Sequence, residues 1–227
     1  MLSRLLSLQQ ADAAFPSGSF AFSNGIEGLI AGDPAFDTES LTQTLTALVR
    51  FRWAESDRVA LILAHRAGPD PVRLGRVDAA VEAATLVEAM RTGSRRNGAS
   101  LLTTHARLAT PGAEEIRAAI RSGLMLGHLA TVQGALWRAL GLSEPEAAAI
   151  AGYQLVSGLV SAAGRLGQVG AIQGQQALQA VLPLVAEIAE RPVPDDPDGA
   201  IALTGFTPLI EVAAMRHARA DLRLFAN

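Results

Sequence analysis

The four histidines are the side chains in this sequence best suited to bind a metal ion or to move a proton near neutral pH. They are His65, His105, His128 and His217. No two lie three or four residues apart, so no helix can present a pair on one face as metal ligands. The sequence also lacks a His-Glu-x-x-His motif and an Asp-rich calcium loop. We therefore predict no metal site of the chain's own, and His217 is a weak candidate for contact with a metal ion.

The residues needed for covalent catalysis are largely missing. The chain has no cysteine, and all 19 of its basic residues are arginine, which excludes thiolate and Schiff-base chemistry. Ser17-Gly18-Ser19 lacks the Gly-x-Ser-x-Gly spacing of a nucleophile elbow and is more typical of a turn. The acidic residues are dispersed, and no spacing pairs two of them as acid and base. We predict that the protein is not an enzyme.

Charge and hydropathy limit the classes of partner. The formal net charge is −3, and 49% of the residues are hydrophobic. A weakly acidic chain is a poor match for nucleic acid, although Arg91, Arg95 and Arg96 form a basic cluster. Uncharged runs at 147–164 and 166–186 are long enough for membrane spans, but their Gly, Pro and Gln content favours buried helices packed through small residues. We predict neither nucleic-acid nor membrane binding.

Helix punctuation recurs along the chain, whereas alternating strand patterns do not. Asp70-Pro71 and Thr207-Pro208 are typical helix starts, and Ser143 with Glu146 has capping-box spacing. Breaks are expected between positions 53 and 57 and between 89 and 94. The prediction is an all-α protein of a single domain, 1–227, with roughly ten helices. It comprises an N-terminal arm and short helix (1–31), a Pro/Asp-rich linker (191–205) and a C-terminal amphipathic helix (206–227).

The segment 15–27 carries a recognisable pattern. Its Pro-x-Gly-x-Phe run followed by Ser-x-Gly-Ile-Glu resembles the N-terminal signature of the urease accessory protein F family. The matching positions are Pro16, Gly18, Phe20, Ser23, Gly25 and Glu27, with Phe15 just before them. From the residues alone, Pro16 and Gly18 predict a turn, after which Ser19 caps a short helix carrying Phe20 and Phe22.

Further segments resemble the same family in the same order. They are the Arg-rich stretch beginning at Arg91, the segment 128–134 that begins with His128, the small-residue segment 161–167 with Arg165, and the closing helix with Met215, Arg216 and His217. The resemblance spans nearly the whole chain, and the order of several weak pieces makes it specific.

The resemblance implies a non-catalytic cytoplasmic scaffold, expected to form a homodimer. It would bridge a nickel-binding GTPase of the G type and an accessory protein of the D or H type on apo-urease, for GTP-dependent assembly of the nickel centre. Nickel and GTP would be handled by the partners, and the chain would have no cofactor of its own. The residues expected to bind partners are Phe15, Pro16, Gly18, Phe20, Ser23, Gly25, Glu27, Arg91, Arg165, Met215, Arg216 and His217.

Two other classes remain open on the residues alone. One is a helical metal carrier or regulatory protein, in which His217 touches the metal or the arginines near Arg91 bind phosphates. The other is an enzyme whose site is built from distant His, Glu and Arg residues. Metal titration, salt-dependent DNA binding and substrate turnover would distinguish them from a scaffold.

Overall fold

The computed structural model describes residues 1–19, 22–195, 201–218 and 224–225, and within these ranges it contains helices and no strand. The α-helices are α1 (Leu2–Ala11), α2 (Ile26–Gly32), α3 (Thr38–Leu48), α4 (Arg58–Ala67), α5 (Pro71–Ala84), α6 (Glu88–Arg107), α7 (Ala113–Arg121), α8 (Leu129–Ala139), α9 (Glu144–Arg165), α10 (Ala171–Ala189) and α11 (Pro208–His217). The prediction of an all-α single domain is confirmed.

α3 and α4 form one continuous helix, because a π-helical segment, Val49–Asp57, joins them without interruption. The predicted break between positions 53 and 57 is therefore wrong, and the described residues form ten continuous helices in all. The stretch contains neither Gly nor Pro, so nothing in its backbone ends the helix. The wider π turn buries Trp53 and leaves Phe51 on the solvent side, 57% exposed.

The core is built around two close helix pairs, α4 with α8 and α9 with α10. A Cβ atom at Gly134 of α8 would lie 2.2 Å from the Leu61 carbonyl oxygen, so only glycine allows this approach. At Gly152 of α9 a Cβ atom would lie 2.5 Å from Cγ1 of Val185 on α10. The prediction that the uncharged runs form helices packed through small residues is thus confirmed.

Helix α9 is long and apolar enough to cross a membrane by composition, with a mean hydropathy of 1.3 over 18 residues. Half of that window is buried inside the protein, where α9 packs against α10. A central core helix meets the same compositional test, so this is weak support for a membrane span.

Local capping signals place most helix starts correctly. The Asp70 side chain accepts hydrogen bonds from the amides of Val72 and Arg73, and Ser143 and Glu146 form the predicted capping box. The start of α6 is different, because α5 ends at Ala84 and α6 begins at Glu88. The predicted break at 89–94 is wrong, and the basic cluster occupies the first turns of α6.

The two ends of the chain differ from the prediction in detail. α2 begins only at Ile26, after Gly25, so Phe22 precedes it, and the Phe22 amide instead donates to the Ser19 carbonyl at 3.1 Å. Phe20 lies outside the described residues. α11 ends at His217, and most of the remainder of the predicted C-terminal helix, 206–227, also lies outside the described residues.

The described ends of the linker are attached to the body. On one side, Arg66 pairs with the Asp195 carboxylate at 2.9 Å. On the other, the Thr204 amide donates to the Glu55 carbonyl, and the Phe206 amide to the Phe51 carbonyl.

Candidate partner-binding site

The N-terminal and C-terminal segments singled out in the sequence meet at the α2–α11 junction, which we define as Gly25, Glu27, Gly28, Ile210, Ala213 and His217. Gly25 has φ +87°, and a Cβ atom there would lie 3.1 Å from Ile210. A Cβ atom at Gly28 would lie 2.3 Å from the Ala213 carbonyl oxygen. The two helices therefore touch backbone to backbone, which requires glycine on α2.

Glu27 is the polar centre of the junction. Its carboxylate accepts the amide hydrogens of Leu224, at 2.8 Å, and of Phe225, at 3.2 Å. Nε2 of His217 lies 3.0 Å from Glu27 Oε2 but is not aligned as a hydrogen bond. Both side chains are buried. One carboxylate thus connects α2, α11 and the chain end.

Arg165 also lies at the chain end. Its guanidinium is 4.2 Å from the centre of the Phe225 ring, within the range of a cation–π interaction. Phe225 itself is only 5% exposed. Arg165, predicted from the central segment, is therefore brought together with Gly25, Glu27 and His217.

The first half of the N-terminal signature packs elsewhere, along α6. The Phe15 ring lies 5.5 Å from the His105 ring, and the Pro16 carbonyl accepts a hydrogen bond from Thr104 at 2.7 Å. A Cβ atom at Gly18, where φ is +81°, would lie 2.6 Å from the Ser100 hydroxyl. Ser23 is fully buried. Phe20, the remaining member of this half, is outside the described residues.

Arg91 is separate from both groups. It pairs with Glu88 at 2.7 Å and with Glu82 at 3.6 Å, and Arg95 contacts the same two carboxylates. His128 is fully buried, and its Nε2 lies 2.7 Å from Glu82. Arg91 and Arg95 are thus neutralised by carboxylates of α5 and α6, which is not the arrangement of a free phosphate-binding patch.

Asp78 supports this network, and sequence reasoning did not find it. Its fully buried carboxylate accepts the amides of Leu126, Gly127 and His128 and so holds the chain just before α8. These three donors follow Asp78 by about fifty positions, so no local spacing could have revealed the contact.

The exposed part of the C-terminal segment is apolar. Met215 is 48% exposed and Arg216 is also exposed, whereas His217 is buried. Beside α11 lies a groove of about 660 Å³, which we name the α3–α11 groove. Its most exposed apolar walls are Phe51, Phe206 and Leu209, the last two 76% and 78% exposed. Sequence reasoning missed Phe51, because the π turn that directs it outward has no sequence signal.

No group of three or more His, Asp or Glu side chains in the described residues is placed to hold a metal ion. His217 faces one carboxylate, Glu27. His65 contacts the Leu142 carbonyl, and His105 contacts Thr110 and Gln10. The described histidines therefore make structural contacts within the fold.

Comparison with known proteins identifies the family. The sequence matches the model of the UreF family over residues 36–182. It is 32% identical to "Urease accessory protein UreF" of Kocuria rhizophila, with 100% of this chain and 98% of the relative covered. It is 34% identical to the protein of the same name from Cereibacter sphaeroides strain KD131, with 99% of both chains covered. "Urease accessory protein UreF 1" of Brucella melitensis is 32% identical, over 97% of this chain.

These relatives are named as accessory proteins, which agrees with the lack of a catalytic constellation in the sequence. The full-length similarity and the family match together show that this chain is a member of the UreF family of urease accessory proteins.

Proposed function

We propose that the protein is a non-catalytic scaffold that bridges a G-type nickel-binding GTPase and a D/H-type accessory protein on apo-urease. In that assembly the partners handle GTP and nickel, and this chain sets their relative positions. The chain acts in the cytoplasm, consistent with a sequence free of cysteine.

The observation that carries this proposal is the α3–α11 groove, an open apolar surface on a helical chain. Phe206 and Leu209 are more than three-quarters exposed, whereas the opposite side of α11 is buried against α2. Large exposed apolar side chains around a groove are typical of protein-binding surfaces. We assign this groove, together with the exposed Met215 and Arg216 later on α11, to the D/H-type protein.

The GTPase is assigned to the N-terminal arm. Pro16 and Ser19 are exposed there, and the arm is held on α6 rather than on α11. Glu27, Gly25 and His217 are buried between the two surfaces, so they contribute by holding α2 and α11 together. The two partners can thus bind one chain at different faces.

The test uses surface substitutions that leave the core intact. Leu209→Glu is expected to abolish co-purification with the D/H-type protein, and Val72→Glu, a change at the similarly exposed start of α5, is expected to have no effect. Ser19→Arg is expected to weaken GTPase capture, with Ser122→Arg as its matched control. Normal binding of both partners by Leu209→Glu and Ser19→Arg would contradict the assignment.

A further inference from the structure

A small cavity beside the π segment contains polar groups without partners. Its volume is about 120 Å³, and it is lined by the π segment, α3, α6, α8 and α9, together with Ser19 and Asn24 of the N-terminal segment. One buried water needs only about 10–15 Å³ of such volume, and an engineered cavity of about 150 Å³ binds benzene. The space is therefore suited to a molecule of a few heavy atoms.

Two buried side chains lining this cavity have an unsatisfied polar atom. Trp53 is 2% exposed and its indole Nε1 has no acceptor, while Asn97 is 5% exposed and its Oδ1 has no donor. A buried polar group without a partner is unfavourable, so two such groups in the lining of one cavity indicate that a hydrogen-bonding partner is missing there. Trp53 belongs to the π segment, and such segments are frequent at functional sites.

Several other polar groups of the wall have partners within the protein. Arg52 and Asp57 face each other at 3.5 Å, and Gln133 donates to Gln154 at 2.9 Å. The Ser94 hydroxyl contacts His128 at 3.1 Å. Because the arginine and the aspartate offset each other's charge, the cavity presents no unpaired charge to a ligand.

From these groups we infer that the cavity is a binding site for a small uncharged carboxamide-type molecule. Indole N–H can only donate, so the ligand must carry an acceptor; Asn97 Oδ1 can only accept, so the ligand must also carry a donor. A carboxamide supplies both within a few atoms. Leu48, Leu129 and Leu155 complete the walls and suit the rest of a small planar molecule. This site goes beyond the proposed scaffold function and does not rest on it.

The experiment follows the two indole N–H resonances of the full-length protein by NMR. The chain has two tryptophans, and Trp137 donates to Gln10 at 3.0 Å and so serves as an internal control. Acetamide and urea are titrated separately at concentrations below those that unfold the protein, and acetone, acetate and guanidinium are titrated as comparisons. Acetone lacks the hydrogen-bond donor, and acetate and guanidinium are charged.

We expect acetamide or urea to shift the Trp53 resonance saturably, with a midpoint on the order of millimolar for so small a ligand. The Trp137 resonance should not move. Asn97→Leu should remove the saturable shift; if that variant does not fold, the probe comparison on the unchanged protein decides the question. The inference would be overturned if both indole resonances shifted equally, if the shift did not saturate, or if the charged probes gave an equal response. It would also be overturned if Trp53 contacted an ordered water that no probe displaces.

Discussion

At the scale of single residues, buried polar contacts decide how the chain ends are held. Gln10 shows this for α1, because its side-chain oxygen accepts from Trp137 at 3.0 Å and contacts His105 at 3.1 Å. Its backbone carbonyl also accepts from Gln154. One fully buried amide thus ties the first helix to α6, α8 and α9, and it is the counterpart of Glu27 at the other end.

His105 predicts a pH dependence of stability. Burial lowers the pKa of His105 from 6.5 to about 4. The unfolded chain therefore binds a proton between these pH values that the folded chain does not, and stability falls as the pH drops through this window. The free energy of unfolding therefore falls by about 3 kcal/mol in total between pH 6.5 and pH 4.

We expect His105→Asn to be less stable than the unchanged protein at pH 7, with the difference shrinking towards pH 4. Urea unfolding at several pH values measures it, and Arg107→Gln on the same helix should keep the original pH slope. A difference that stays constant from pH 7 to pH 4 would show that His105 is not held neutral by burial.

Glu27 predicts how the chain end behaves. Glu27→Ala removes the acceptor of the Leu224 and Phe225 amides and the carboxylate beside His217. We expect a loss of about 1–3 kcal/mol in the free energy of unfolding and faster proteolysis at the C-terminal end. Limited proteolysis with mass spectrometry measures it, and Glu190→Ala, at an exposed position, is the control. Unchanged cleavage would mean that Glu27 does not hold the chain end.

At the scale of elements, the approach of α2 to α11 depends on glycine. Gly28 faces the Ala213 carbonyl oxygen, whereas Gly32, one turn later on the same helix, has open space around it. Gly28→Ala forces the helices apart and is expected to cost about 1–3 kcal/mol. Gly32→Ala is expected to be neutral or slightly stabilising. Thermal unfolding of both variants compares them, and equal melting temperatures would refute the close contact.

Element prediction from sequence succeeded where the signal is local. Asp70-Pro71 and the Ser143 capping box mark true helix starts because their hydrogen bonds close within a few residues. The break predicted at 89–94 failed because Gly93, a weak helix former, is buried within α6, and tertiary packing overrides local propensity there. Gly98, further along α6, also packs closely. A Cβ atom at Gly98 would lie 2.1 Å from the Gly127 carbonyl oxygen, so this glycine serves helix packing.

Site prediction was limited for the same physical reason. The resemblance picked out Glu27 and His217 in two separate segments of the sequence. Their contact joins positions 190 residues apart and has no local signature. The Asp78 contact and the outward position of Phe51 were invisible for similar reasons. Sequence could therefore identify many members of the candidate site, but not which of them are buried and which form a surface.

At the scale of the whole molecule, α1 presents large exposed apolar side chains. Leu2, Leu5 and Leu8 are 70%, 57% and 68% exposed along the outer side of this helix. Their spacing forms an apolar row, and we propose this row as the contact of the homodimer that the family resemblance led us to expect. We expect Leu5→Glu to shift the protein towards the monomer in analytical ultracentrifugation, while Val72→Glu should not. Identical sedimentation of Leu5→Glu and the unchanged protein would exclude this row as the contact.

The central claim is that one chain joins two partners through separate faces. Its most direct test is native mass spectrometry of the D/H-type protein and the GTPase, mixed with and without this chain. We expect a complex of all three proteins with the unchanged chain. With Leu209→Glu, only the complex of this chain with the GTPase should remain. With Ser19→Arg, only the complex of this chain with the D/H-type protein should remain. A complex of the two partners that forms equally well without this chain would contradict the account.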